Sequence, residues 1–92
     1  MREKQIEQKL AQAVRKSGGM CLKFVSSNFD GMPDRLILFP GGKIAFAELK
    51  APGKKPRPLQ IARHKVLKLG FRVYIIDSVE QIGVILDEIQ SS

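Results

Sequence analysis

At 92 residues the chain has room for one domain, which buries only about 60% of the surface its unfolded form exposes, so self-association is an expected source of extra stability. Its 43% hydrophobic and 27% charged residues are those of an ordinary globular protein and exclude a disordered, collagen-like or membrane-spanning chain. A formal net charge of +7 argues for a polyanionic partner, because neutralising phosphates releases their condensed counterions.

The segment Met1-Arg2-Glu3-Lys4-Gln5 opens a charged amphipathic helix and not a signal peptide. No later apolar run approaches the roughly 20 residues needed to cross a bilayer. The expectation is an intracellular, unsecreted protein with no membrane partner. Ile6, Leu10 and Val14, with Ala13, recur at helical spacing from about Glu3 to Lys16, and Gly18-Gly19 supplies the stop. Met20 to Ser26 then alternates apolar with polar or small residues and reads as a first strand. It carries Cys21, the sole cysteine, which excludes an internal disulfide and a cysteine-rich zinc site and is assigned to the core. Ser27 to Gly31 reads as a loop.

Arg35 to Phe39 and Lys43 to Leu49 are apolar β-type runs separated by Pro40-Gly41-Gly42, which together predict a β-hairpin. The segment Ala51 to Pro58 cannot extend the second strand, since its prolines lack donors, and forms a loop. Leu59, Ala62, Val66 and Leu69 mark the apolar face of a second helix, with Pro58 in its first turn and Gly70 at its C-terminal cap. Phe71 to Ile76 is a buried strand. Ser78 and Gln81 form a capping box opening a last helix through Ile82, Ile85, Leu86 and Ile89. The order is helix, three strands, helix, strand, helix in one α/β domain spanning residues 1–92, with no repeats or linkers. Both faces of the hairpin strands are apolar, so helices should cover the sheet on both sides.

The chemistry-bearing residues gather at one end of that hairpin. Strand residues two apart share a face, so Glu48 and Lys50 project together, roughly 6.6 Å apart along the strand. A two-residue turn at Gly41-Gly42 would pair Asp34 with Leu49 and turn it to the wrong face. A three-residue turn, Pro40-Gly41-Gly42, pairs it with Glu48 instead, and that register is the expected one. Asp34 and Glu48 can then coordinate Mg²⁺ or Mn²⁺, hard ions that prefer oxygen, with the Leu49 backbone carbonyl and waters completing the shell. Lys50 can orient or deprotonate water, or stabilise the pentacovalent phosphate. Glu7 lies at the edge of the first helix's apolar stripe, close enough to reach a sheet end as a further metal ligand. Gln60 sits in the first turn of the second helix, where an amide could contact water or phosphate. From Ala51 to Arg72 the charged residues are all basic: Lys54, Lys55, Arg57, Arg63, Lys65, Lys68 and Arg72. Following the site directly, this block reads as a DNA-binding surface, led by the Lys54, Lys55 and Arg57 loop. His64, within the block, is read as a surface residue without a catalytic part.

Glu7, Gly31-Met32-Pro33-Asp34, Glu48-Leu49-Lys50 and Gln60, on this element order, resemble the PD-(D/E)XK nuclease superfamily and, more narrowly, its VRR-NUC (virus-type replication and repair nuclease) domains. The resemblance spans nearly the whole chain. It implies that Glu7, Asp34 and Glu48 are acidic site residues, that Lys50 is catalytic and that Gln60 is an accessory polar residue. Short standalone members look like phage proteins that act as homodimeric Holliday-junction resolvases in a host cytoplasm. The expectation is therefore a metal-dependent, structure-specific DNA endonuclease with no small-molecule cofactor. A dimer presents equivalent sites to a symmetric four-way junction, and the last helix, with Val79, Ile82, Ile85, Leu86 and Ile89, is a candidate interface. The alternatives are a module that grips branched DNA without cutting, its acids serving as salt-bridge partners, and a restriction-type endonuclease on the same core. Against the latter, nothing resembles a dedicated major-groove recognition element.

Overall fold

The structure, a computed structural model, describes residues 1–92. The elements are α1 (Glu3–Lys16), β1 (Met20–Lys23), β2 (Arg35–Phe39), β3 (Lys43–Leu49), α2 (Pro58–Leu67), β4 (Arg72–Ile76) and α3 (Glu80–Ser91). One sheet in the order β1-β2-β3-β4 joins them, antiparallel across its first three strands and parallel between β3 and β4. A parallel pair cannot be closed by a hairpin. The basic segment with α2 is that crossover, which carries it over one face of the sheet.

Alternation along the strands sorts the two faces. Ile37, Phe39, Ala45, Ala47, Leu49 and Ile76 point to one side, where they form the core with Ile6, Leu10 and Val14 of α1 and with Ile82, Ile85, Leu86 and Ile89 of α3. The apolar face of α3 is thus spent on the sheet and α1 and is not available as an interface. Phe46 points to the other side, where its ring meets those of Phe24 and Phe71 edge-on at 5.6 and 5.7 Å. Cys21 is half-buried against the core.

Local sequence accounts for the ends of the elements. α1 closes with Gly18 at φ 90°, its amide bonded to the Arg15 carbonyl and that of Gly19 to the Val14 carbonyl, the paired bonds of a Schellman cap. At α3 the reciprocal cap is only half made. Gln81 Oε1 accepts from the amides of Ser78 and Asp77 at 3.0 and 2.8 Å, while the Ser78 hydroxyl turns to that same oxygen.

Three expectations change. β1 stops at Lys23, Phe24 keeps one last bond to the neighbouring strand, and the chain then leaves the sheet with Val25 exposed. β4 is an edge strand on which Arg72 and Ile75 remain exposed, so it is only half buried. α2 ends at Leu67, before Gly70, and turns the opposite way to its apolar pattern. Leu59, Ala62, Val66 and Leu69 face out, Leu69 being 89% exposed, and the buried residues are Gln60 and His64. The reason lies on the sheet face beneath: Glu48 offers a polar partner there, and a buried carboxylate is far costlier to leave unmatched than a few methyl groups are to expose.

Candidate active site

The β2–β3 ladder pairs Arg35 with Ala47 and Phe39 with Lys43, the register of a three-residue turn. Continued by one residue it sets Asp34 opposite Glu48, on the sheet face that α2 covers. Asp34 is held at the strand mouth by its backbone and side chain together: its carbonyl accepts from the Phe24 amide at 2.7 Å, and Oδ2 accepts from the Leu49 amide at 3.1 Å. The preceding turn is fixed from above. Gly31 adopts φ +85°, and a Cβ there would lie 2.8 Å from the Leu59 carbonyl oxygen and 3.0 Å from Arg63 Cγ, so the loop passes α2 too closely for any side chain.

Glu48 is 1% exposed. Its Oε2 receives Gln60 Nε2 at 2.7 Å and lies 3.3 Å from Lys50 Nζ. Gln60 is itself fixed, because its Oε1 accepts from the Arg57 amide at 2.8 Å and so also caps α2. Oε1 of Glu48 is buried with no partner. Burial pushes the Glu48 carboxyl above its ordinary value, the Asp34 charge adds to the rise, and Lys50 and Gln60 oppose it. A buried, unbonded carboxylate oxygen beside a second carboxylate is the donor set a hard divalent cation prefers, and it would relieve the repulsion between the two acids. The residues present therefore fit such an ion, with Asp34 and Glu48 as its protein ligands.

Of the residues singled out in the sequence, Asp34, Glu48, Lys50 and Gln60 are brought together. Glu7 is not drawn in with them. Its Oε1 pairs with Arg35 at 3.0 Å, and Arg35, one residue after Asp34, points to the α1 face of the sheet. Glu7 meets Asp34 only as a fellow lining residue of an open cavity of about 410 Å³ around the sheet end. No group of three His, Cys, Asp or Glu side chains is assembled to hold a metal ion. The convergence of three acids on one point is therefore corrected to a carboxylate pair with an accessory acid. The Asp34 carboxylate contacts the Leu49 amide, which belongs to the peptide group before the one whose carbonyl the sequence offered as a ligand.

Among the basic residues, Lys54, Lys55, Arg57, Lys65 and Lys68 are exposed and free to meet a polyanion. Arg63 is spent differently: Nε donates to the Asp30 carbonyl at 2.9 Å, and its guanidinium stacks 4.4 Å from the Phe29 ring centroid, pinning the 27–33 loop to α2. His64 departs furthest from expectation. It is 3% exposed, with both ring nitrogens unpartnered, and not a surface residue. The signal was present in the sequence, since His64 stands four residues after Gln60 and so must share its helix face.

No protein-family model matches the chain. It is 49% identical over 79 residues, 85% of each chain, to "Putative nuclease p44" of Acyrthosiphon pisum secondary endosymbiont phage 1. Its backbone is similar to that of a solved VRR_NUC domain, with a TM-score of 0.85, 28% identity, and coverage of 92% of this chain and 94% of that one. No helix is long and apolar enough to cross a membrane. The near-complete overlap with both, on a fold that sets Asp34, Glu48 and Lys50 at one strand end, means that the chain belongs to the VRR-NUC nuclease family.

Proposed function

We infer that the protein is a divalent-metal-dependent endonuclease that hydrolyses phosphodiester bonds in branched DNA, four-way junctions above all, as a homodimer. The observation that carries this reading is the unbonded buried Oε1 of Glu48, on a carboxylate that feels the Asp34 charge and whose other oxygen lies 3.3 Å from the Lys50 ammonium. When bound, Mg²⁺ or Mn²⁺ supplies Lewis-acid charge to a phosphoryl oxygen and lowers the pKa of water. Asp34 and Glu48 would hold the ion. Glu7 is an accessory acid at the cavity wall, and its pairing with Arg35 must loosen before it can contribute. Lys50 places a positive charge where negative charge builds on the phosphorus oxygens, and its second role is to orient the attacking water. Gln60 keeps Glu48 aimed by donating to Oε2 while its own carbonyl is anchored on the α2 cap.

Substrate capture follows from the crossover. Lys54, Lys55 and Arg57 leave the site on one loop, and Lys65 and Lys68 extend the same charge along α2. These cations contact phosphates without reading sequence, which favours recognition of DNA shape over a base code. A two-fold dimer would present equivalent sites for paired incisions across a junction.

Purified protein offered linear duplex, single strand, flap and four-way junction with Mg²⁺ or Mn²⁺ tests this. Paired, ion-dependent cuts near the branch point by a species of two-chain mass are expected, with cleavage lost and binding kept in K50M. Binding of junctions without cleavage of any substrate under either ion would instead establish the non-cutting module.

A further inference from the structure

The buried face of α2 carries a group that the mechanism above does not use. His64 is 3% exposed, and neither Nδ1 nor Nε2 has a hydrogen-bond partner. A buried imidazole with both nitrogens unmatched is costly, and native interiors seldom keep one without a use. At that depth it cannot touch DNA, so anything it does goes through a neighbour. The charges that act on the ring are those of Lys68 at the C-terminal cap of its own helix, Lys50 at the end of β3 and Asp34 at the mouth of β2. Asp34 is engaged with the Leu49 amide, and Lys68 is exposed at the helix end. Lys50 is different. It is largely buried and pairs only with Glu48 Oε2, leaving donors of its ammonium free.

We propose that His64 is a positioning residue for Lys50: a ring nitrogen accepts a hydrogen bond from the Lys50 ammonium through one bridging water, holding the amine against Glu48 and toward the reacting phosphate. The geometry it rests on is that of α2, where Gln60 and His64 stand one turn apart on the buried face and Gln60 already holds Glu48, the ion-pair partner of Lys50, from that side. Burial lowers the imidazole from its ordinary value, the Lys68 and Lys50 charges lower it further, and Asp34 opposes them. The ring is thereby kept in the form that has a lone pair to offer. Protonation would place a cation beside Lys50 and break the support.

The proposal rests on the nuclease reading for its purpose but not for its test. His64 is the only histidine of the chain, so in ¹⁵N-labelled protein its ring nitrogens give the only imidazole resonances. Comparing wild type with K50M, without DNA or metal, the accepting nitrogen is expected to move downfield toward the position of an unbonded one, while K68M leaves it in place. An accepting nitrogen unmoved in K50M overturns the proposal. Single-turnover cleavage adds a second arm: H64L should lose about 10–100-fold in rate, the scale of lost outer-shell support, at unchanged DNA affinity and an unchanged or raised melting temperature. Either H64N or H64Q, which return an acceptor at the δ or ε position, should recover part of that loss. H64L cleaving at the wild-type rate with the wild-type pH profile would mark His64 as packing alone. Should the wild type cut nothing, the nuclease reading fails, and the resonance comparison still decides whether the ring and the amine are linked.

Discussion

Glu48 concentrates the conflict that a functional carboxylate creates for the fold. It is buried, it faces Asp34, and its carboxyl is raised above the ordinary value by desolvation first and by the Asp34 charge second. A native carboxyl that holds its proton more tightly than the unfolded chain does gives stability at pH below the unfolded value, and that contribution is lost as pH rises through the native one. In its ionised form Glu48 is therefore a destabilising group. E48Q keeps an acceptor for Gln60 and removes the charge, so thermal denaturation at pH 7 should show a melting temperature at or above that of the wild type. The melting-temperature gap between variant and wild type should narrow as pH falls through the raised native value of Glu48 toward the ordinary carboxyl one. The same substitution should cut cleavage by at least about 10²-fold, the scale of losing a preorganised electrostatic group. A variant that melts well below the wild type at pH 7 would show that the carboxylate stabilises the fold and would remove the conflict described here. Asp34, Glu48 and Lys50 were legible as a set because strand alternation and turn length are arithmetic. Glu7 was not, because its partner Arg35 lies one residue from Asp34, and that single step sends it to the other face of the sheet.

The hairpin and the crossover helix divide the work of holding the site, and they were unequally readable. The β2–β3 register follows from the Pro40-Gly41-Gly42 turn, and the ladder from Phe39–Lys43 to Arg35–Ala47 has it. α1 and α3 bury the apolar stripes that their periodicity marks, with Ile6, Leu10, Val14 and Ile89 fully enclosed. α2 misleads. Its apolar residues recur at helical spacing, yet its inward positions are set by a hydrogen bond to Glu48, a partner that periodicity within the helix cannot display. The loop that delivers Asp34 depends on α2 from the other side, through the close passage at Gly31 and the Arg63 bond to Asp30. G31A meets both a left-handed backbone and the Leu59 carbonyl, so it should cost about 1–3 kcal/mol. Since the displaced segment carries Asp34, cleavage should fall by more than the stability loss explains, measured at a temperature where the variant remains folded. Chemical denaturation showing less than 0.5 kcal/mol lost, roughly the level of an ordinary surface change, would argue against the close packing of loop on helix.

The charge of +7 is distributed with a direction: Asp34 and Glu48 meet at one strand end, and the crossover that follows, from Ala51 to Arg72, carries basic residues and no acid. In the proposed reading, attraction of a polyanion and catalysis on it fall to adjacent stretches of the chain. Replacing Lys54, Lys55 and Arg57 together by alanine should weaken junction binding and reduce the slope of log affinity against log salt by about 0.9 for each phosphate that is no longer neutralised. An unchanged slope would mean that the loop does not touch the backbone of the DNA. Beneath these lies the claim that Asp34 and Glu48 form a cation site whose occupancy the fold is built to accept. Electron paramagnetic resonance of free Mn²⁺, titrated into wild type, D34A and E48Q without DNA, measures that claim most directly. Saturable depletion of the free-ion signal is expected with the wild type, and none, or far weaker depletion, with either variant. Equal depletion by all three proteins, or none by the wild type, would contradict it.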